Sequence, residues 1–395
     1  MRSEHRALTE GFGVHNLPLG VFSTGSDAPR GGVAFGEHVI DAGRLDLPGA
    51  EALRASTLNP FMALGRPVWD AFRRGLQQLL EADSAAVEPH LVPRDQVRMH
   101  LPFQVADYVD FYSSQHHAEN LGRILRPGTP PLTPNWKHLP IGYHGRAGTV
   151  AVSGTPVVRP HGQRRGEGGP VFGASTRLDI EAEVGFVVGV GSTTPLTVAD
   201  FGDHVFGACL VNDWSARDLQ AWETAPLGPF LGKSFLTSIS PWVVPLAALS
   251  AARRPAPPRD VELLPYLRDE DHPWGLDITL EVRLNGELVS RPPFAQMYWT
   301  PAQQLAHLTS NGSSVRTGDL FASGTVSGQA QDQRGSLIEL SSNGAEPLML
   351  GDGSSRTFLE DGDEVIITAT APGADGSVID FGAVCGRVQP QSLAE

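Results

Sequence analysis

The chain is 395 residues long, which predicts two or three folded units. Hydrophobic residues make up 41% and charged residues 19%, an ordinary balance for a protein with a sizeable core. The formal net charge of −14 speaks against nucleic acid or an anionic membrane as a partner, since both reward a basic surface.

The opening stretch MRSEHRALTEGFGVHNLPLG has no apolar segment of the kind a secretory signal needs, and runs such as VGFVVGVG are too short to span a bilayer. Cys209 and Cys385 stand alone, with neither zinc nor disulfide spacing, which predicts a reducing, cytoplasmic setting. GVHNLPLGVFST and GGVAFGEHVIDAG are short apolar segments between glycines and read as strands. RPVWDAFRRGLQQLLEAD places Val68, Phe72, Leu76 and Leu79 on one helical stripe. LVPRDQVRMHLPFQ reads as a connection into a larger unit. From Ala106 onward strands recur in TVAVSGTPVVRP, TRLDIEAEVGFVVGVG, HVFGACLVNDW, LDITLEVRLNGELV and DEVIITATA, with a hairpin signal at Asn285–Gly286–Glu287. The 44 glycines and 32 prolines are scattered, with no fixed period. The expectation is a mainly β chain: a small N-terminal domain over 1–105 and a large domain over 106–395.

Four stretches carry chemistry. DYVDFYSSQHHAEN, from Asp107 to Asn120, is either a solvated polar loop or a place where a metal ligand meets a proton-transfer base. In RLDIEAEVGF the apolar residues alternate with Asp179, Glu181 and Glu183, so a strand would carry three carboxylates on one face. Three like charges in succession ask for a cation, although a wet acidic face is the simpler reading. In NDWSARDLQAWETAPLGPFLGKSF, Asn212 or Asp213 is placed to cap a helix, and Arg217, Gln220 and Thr224 follow Asp213 along one stripe. Lys233 sits among Pro229, Phe230, Leu231 and Phe235, either snorkelling or held for a purpose. Late in the chain Thr325 lies in a Gly/Ser-rich turn, and Glu339 interrupts what reads as an apolar strand, exposed or else paired with a cation or histidine. If Asp110, Glu181, Glu183 and Asp213 converge, four carboxylates without cysteine make an all-oxygen site suited to Mg²⁺ or Ca²⁺. A nearby histidine could then activate water, with Arg217 and Lys233 receiving an oxyanion. On residues alone this is a metal-dependent hydrolase or lyase.

The motifs DYVDFYSS.HHA.N, PNWKHLPIGYHGRAGTVAVSGTP, LDIEAEVGF, NDWSARDLQ.WE..PLGPFLGKSF, MYWT..QQLAH, GDL.ASGT.SG and DGDEVIIT, together with HNLPLGVFST near the start, resemble the fumarylacetoacetate hydrolase family in its full-length form. The resemblance implies an SH3-like N-terminal β-barrel followed by a large mixed β-roll, assembled as a homodimer. It implies metal-dependent hydrolysis of a carbon–carbon bond in 4-fumarylacetoacetate, a small anionic diketo acid, to fumarate and acetoacetate, the last step of tyrosine and phenylalanine breakdown. No organic cofactor is implied. Carried over by position, the metal ligands are Asp110, Glu181, Glu183 and Asp213, with Lys233 and Thr237 at or near the ion. His117 matches the base and Glu339 the acid that orients it. Arg217, Gln220 and Lys233 match the oxyanion-side donors, and Tyr112, Arg126, Tyr143 and Thr325 match substrate contacts. One position departs: Thr224 stands where the family has a substrate-contacting tyrosine. His116 is a rival to His117, but alignment on HA.N selects His117. Two alternatives stand beside this reading: an acylpyruvate or related β-diketone hydrolase of the wider superfamily, and a non-catalytic metal- or metabolite-binding β protein. The presence of His117, Glu339 and Lys233 together argues against the second.

Overall fold

Short β-prone segments set off by glycine turns pair with one another along most of the chain. The structure, a computed structural model, describes residues 11–391 apart from Asp83. The first ten residues, where the sequence shows no apolar signal segment, lie outside the described residues. In chain order, β1 (Leu19–Ser23), β2 (Arg30–Phe35) and β3 (His38–Ile40) precede α1 (Arg66–Ala82). Helix α1 buries Trp69, Phe72 and Leu76, with Leu79 packed against the same core. The stripe runs through Trp69 rather than Val68, because the indole N–H donates to the Phe61 and Met62 carbonyls and draws that face inward. The segment read as a connection instead holds β4 (Leu91–Pro93) and β5 (Arg98–His100), which pair with β3 and β1. Pairing with waiting edges overrides its proline and charges there.

The site is built on β6 (Tyr108–Phe111), α2 (Gln115–Leu125), β7 (Gly142–His144), β8 (Ala182–Val188), β9 (Val205–Asp213), α3 (Arg217–Glu223), β10 (Thr237–Ile239) and β11 (Trp242–Pro245). Then come β12 (Thr279–Leu284), β13 (Glu287–Ser290), β14 (Leu320–Ala322), α4 (Leu337–Leu340), β15 (Glu364–Pro372) and β16 (Val378–Gln389). One continuous sheet runs β4-β3-β2-β1-β11-β9-β8-β14-β6-β7, so the N-terminal strands extend the sheet that carries the site. A second sheet pairs β13, β12, β15, β16 and the short strand Val157–Val158. The hairpin read at Asn285–Glu287 is present: Leu284 pairs with Glu287 across Asn285 and Gly286, both at positive φ as a two-residue turn requires. The chain is mainly β, as expected.

Strand β8 runs antiparallel to β9 and β14, and β14 runs parallel to β6. The C-terminal ends of β6 and β9 and the start of β8 therefore share one edge of the sheet. Below that edge the apolar faces of these strands, with Val184, Phe186, Leu210 and Phe321, join the largest hydrophobic cluster. A rigid packed floor thus carries whatever side chains project from the edge.

Candidate active site

Asp110 is the third residue of β6, Glu183 the second of β8 and Asp213 the last of β9. Glu181 lies just before β8, its carbonyl accepting from the Asp213 N–H at 3.1 Å. All four are buried. Asp110, Glu181 and Glu183 each bring an oxygen within 4.8 Å of the others. Asp110 Oδ1 and both Glu183 oxygens have no hydrogen-bond partner among the described residues. Burial, reinforced by the neighbouring carboxylates, raises Asp110 and Glu183 well above the usual carboxylate range. Orphaned, crowded carboxylates of this kind fit a hard divalent cation and little else.

Asp213 stands beside this trio with its oxygens already engaged. Oδ1 accepts from Thr237 Oγ1 at 2.6 Å, and Oδ2 accepts from the Tyr143 hydroxyl at 3.0 Å and Lys233 Nζ at 3.1 Å. Lys233 is buried and also pairs closely with Glu181, so it does not snorkel. Burial alone would raise Glu181, but the Lys233 and Arg217 cations override it and hold the carboxyl at about 2.

The three carboxylates of RLDIEAEVGF do not form a wet strand face. The strand breaks after Leu178–Asp179, and Asp179, Glu181 and Glu183 are all buried, with Asp179 and Glu181 paired to the Arg217 and Lys233 cations. Asp213 does not cap the following helix: it ends β9, and the N-cap of α3 is Ala216. Arg217 opens α3 and donates from Nε to Asp179 at 2.8 Å; its Nη1 lies 2.7 Å from Glu181 Oε1 and donates to Gln220 Oε1 at 3.2 Å. Its Nη2 is buried with no partner among the described residues. Thr224 is exposed, and its hydroxyl donates to the Gln220 carbonyl at 2.6 Å.

On the other side, α2 is capped by Ser114, whose Oγ accepts from the His117 N–H at 3.2 Å. The segment is thus a strand, a capped turn and a helix, not a solvated loop. Helical twist turns His117 inward while His116 stays half-buried. His117 Nδ1 lies 2.7 Å from Glu339 Oε2. Glu339 sits on the helical turn α4, not on a strand: a four-residue apolar run cannot distinguish the two by period. Its carboxylate also accepts from Asn120 at 2.9 Å, Ser327 at 2.9 Å and Ser336 at 2.7 Å. Burial would raise Glu339, yet His117 and these donors hold it at about 2. The Tyr112 ring meets the His117 ring edge-on at 5.3 Å. Arg126, at the C-cap of α2, is exposed and donates to the Pro131 carbonyl at 2.9 Å. Thr325 is buried with its hydroxyl unpartnered. It follows Gly324, at φ 75°, where a Cβ would come 2.1 Å from the Phe111 carbonyl oxygen, so only glycine lets this turn lie against β6.

A family model described as fumarylacetoacetate hydrolase C-terminal matches residues 107–389, and one described as fumarylacetoacetase N-terminal matches 15–102. The chain belongs to the fumarylacetoacetate hydrolase family. Fumarylacetoacetase from Homo sapiens is 46% identical with 97% of each chain covered, and that from Rattus norvegicus 47% identical with 96% of each covered. A solved fumarylacetoacetate hydrolase from Exiguobacterium antarcticum shares the fold, with a TM-score of 0.58 at 18% identity, covering 95% of this chain and 100% of that one.

Within this member of the family, sequence reasoning assigned no role to Asn120, Ser327 or Ser336, which surround Glu339. Their only signal was a concentration of small polar residues near the expected base and acid. Asp179 was visible only as one of three alternating acids.

Proposed function

We propose that the protein hydrolyses 4-fumarylacetoacetate to fumarate and acetoacetate, using His117 as base and Glu339 as its orienting acid. The observation that supports this best is the buried His117–Glu339 pair, carried by the helix that follows β6 and its Asp110. A divalent cation, Mg²⁺ or Ca²⁺, held by Asp110, Glu181 and Glu183 with Asp213 beside them, would polarise the diketone oxygens and orient the substrate. Nδ1 of His117 faces the Glu339 carboxylate at 2.7 Å, which leaves Nε2 as the nitrogen turned to the substrate. His117 takes a proton from water, and the water oxygen bonds to the carbonyl carbon beside the scissile bond. Arg217, through its unpartnered Nη2, receives the developing oxyanion together with Gln220 and Lys233. Collapse breaks the carbon–carbon bond, and the proton on His117 passes to the departing acetoacetate carbon. Tyr112 and Arg126 receive a terminal carboxylate; Tyr143 and Thr325 line the substrate's path, and Thr237 steadies Asp213.

We also take the chain as two units meeting between residues 102 and 107, where the two family matches part. A cytoplasmic setting is supported by Cys209 and Cys385, both free thiols. A homodimer is supported by the exposed Phe172, Leu227, Phe230 and Leu231 around α3 and the hairpin of His161–Gly166 with Gly169–Ala174. None of the helices described is long and apolar enough to cross a membrane.

The test follows loss of fumarylacetoacetate absorbance by purified protein, before and after chelation and Mg²⁺ add-back. Cation-dependent loss, with fumarate and acetoacetate as products, is expected. Cleavage of acylpyruvates in place of fumarylacetoacetate would move the assignment to that wider class of hydrolase, a reading favoured by the exposed Thr224 in place of a tyrosine.

A further inference from the structure

Asp179 holds neither the cation nor the base, yet it is fully buried and touches both halves of the site. Its Oδ1 accepts from the N–H groups of Ile180 and Leu337, both at 2.7 Å. Its Oδ2 accepts from the Ile338 N–H at 3.1 Å and from Arg217 Nε at 2.8 Å. Leu337 and Ile338 begin α4, the turn that carries Glu339. The first N–H groups of a helical turn have no partner inside it, and the N-cap side chain normally meets them. Here the N-cap residue, Ser336, makes no such bond; its hydroxyl donates to Glu339 instead. Asp179 supplies the cap from a distant part of the chain and so frees Ser336 for the acid. The same carboxylate fixes Arg217 at Nε, which leaves Nη1 for Glu181 and Gln220 and Nη2 without a protein partner.

We infer that Asp179 is a positioning residue that locks the donor Arg217 to the turn carrying Glu339, holding the oxyanion side and the base side of the site in one register. This rests on the function proposed above. Two catalytic groups on separate segments stay aligned only if something rigid spans them, and this one side chain does so with four accepted hydrogen bonds. Asn at 179 keeps the size but presents an amide N–H₂ toward Arg217 or toward the turn, breaking one side of the junction.

The test measures kcat and KM for fumarylacetoacetate and the Tm gain on adding Mg²⁺, in wild type, D179N, E339Q and D179N/E339Q. Wild type without turnover would overturn the functional reading and this inference with it. With active wild type, D179N is expected to lose roughly 10²-fold in kcat, KM moving less than about threefold and the Mg²⁺ gain retained. The double variant is expected within about threefold of E339Q, since both changes act through the same alignment. A D179N kcat within about threefold of wild type, penalties that multiply in the double variant, or loss of the Mg²⁺ gain would each overturn the inference. If D179N does not fold, S336A decides. A roughly tenfold fall in kcat at near-wild-type Tm supports a turn capped by Asp179, and a lowered Tm with unchanged kcat overturns it.

Discussion

Glu339 is the residue on which the proposed base depends. Four donors surround it, and their combined pull leaves its carboxyl at about 2 against an ordinary 4.5. A depressed folded-state value adds stability that is fully present above the ordinary value and lost as pH falls toward the depressed one. Between about pH 4.5 and pH 2 the protein therefore loses this contribution as Glu339 takes up a proton. E339Q has no such proton to bind. Its Tm is expected to start lower at neutral pH and to fall less steeply across that acid range than wild type, measured by thermal unfolding at several pH values. Gln also offers an N–H where His117 needs an acceptor, so the imidazole loses its tautomer and aim. A fall in kcat of roughly 10²–10⁴-fold is expected, read in the fumarylacetoacetate assay. A parallel acid limb in both proteins would remove the charge from Glu339.

At the scale of elements, the proposed cation site is a property of strand ends. Asp110 and Glu183 project from the shared edge of β6 and β8, and Asp110 Oδ1 and both Glu183 oxygens meet no donor among the described residues. Their raised pKa values have the opposite sign to that of Glu339. In the cation-free protein, stability present at low pH is lost as pH rises and these groups are forced to ionise side by side. D110N relieves that repulsion. In chelator at neutral pH it is expected to melt above wild type, yet to lose most of the Tm gain that Mg²⁺ gives wild type. That gain is about 2.7 kcal/mol at a hundredfold excess over Kd. Scanning calorimetry of both proteins with and without the cation checks the crossing; a wild type that melts higher in chelator would reject it. These elements also show what a sequence pattern can carry. Alternation in RLDIEAEVGF announced three acids on one face, because the period of a strand is local. It could not announce that Asp179 breaks away to hold Arg217 and α4, since that partnership joins residues 38 and 158 positions apart. Likewise LIEL is too short for its period to separate strand from helix; its turn is closed by the bond from the Leu340 N–H to the Ser336 carbonyl and capped by Asp179.

For the whole molecule, the N-terminal strands are part of the same sheet as the site. Strand β1 pairs with β11 through Leu19–Val243 and Gly20–Trp242, and β11 pairs with β9, which ends in Asp213. Glycine and β-branched spacing made the strands themselves legible in the sequence, but not the seam that joins the two family-matched regions. That seam is tight: a Cβ at Gly20 would lie 2.6 Å from the Pro241 carbonyl oxygen and 2.7 Å from the Trp242 ring. The strain falls on backbone and a packed indole, neither of which can yield cheaply, so G20V is expected to cost about 1–3 kcal/mol by overpacking. The carboxylate edge and the His117–Glu339 pair lie on other strands and turns. At temperatures where the variant remains folded, kcat should therefore stay near wild type while Tm falls. Paired kinetics and thermal unfolding of G20V read both. A lost kcat in folded G20V would mean that the seam holds the site in shape rather than merely joining the sheet.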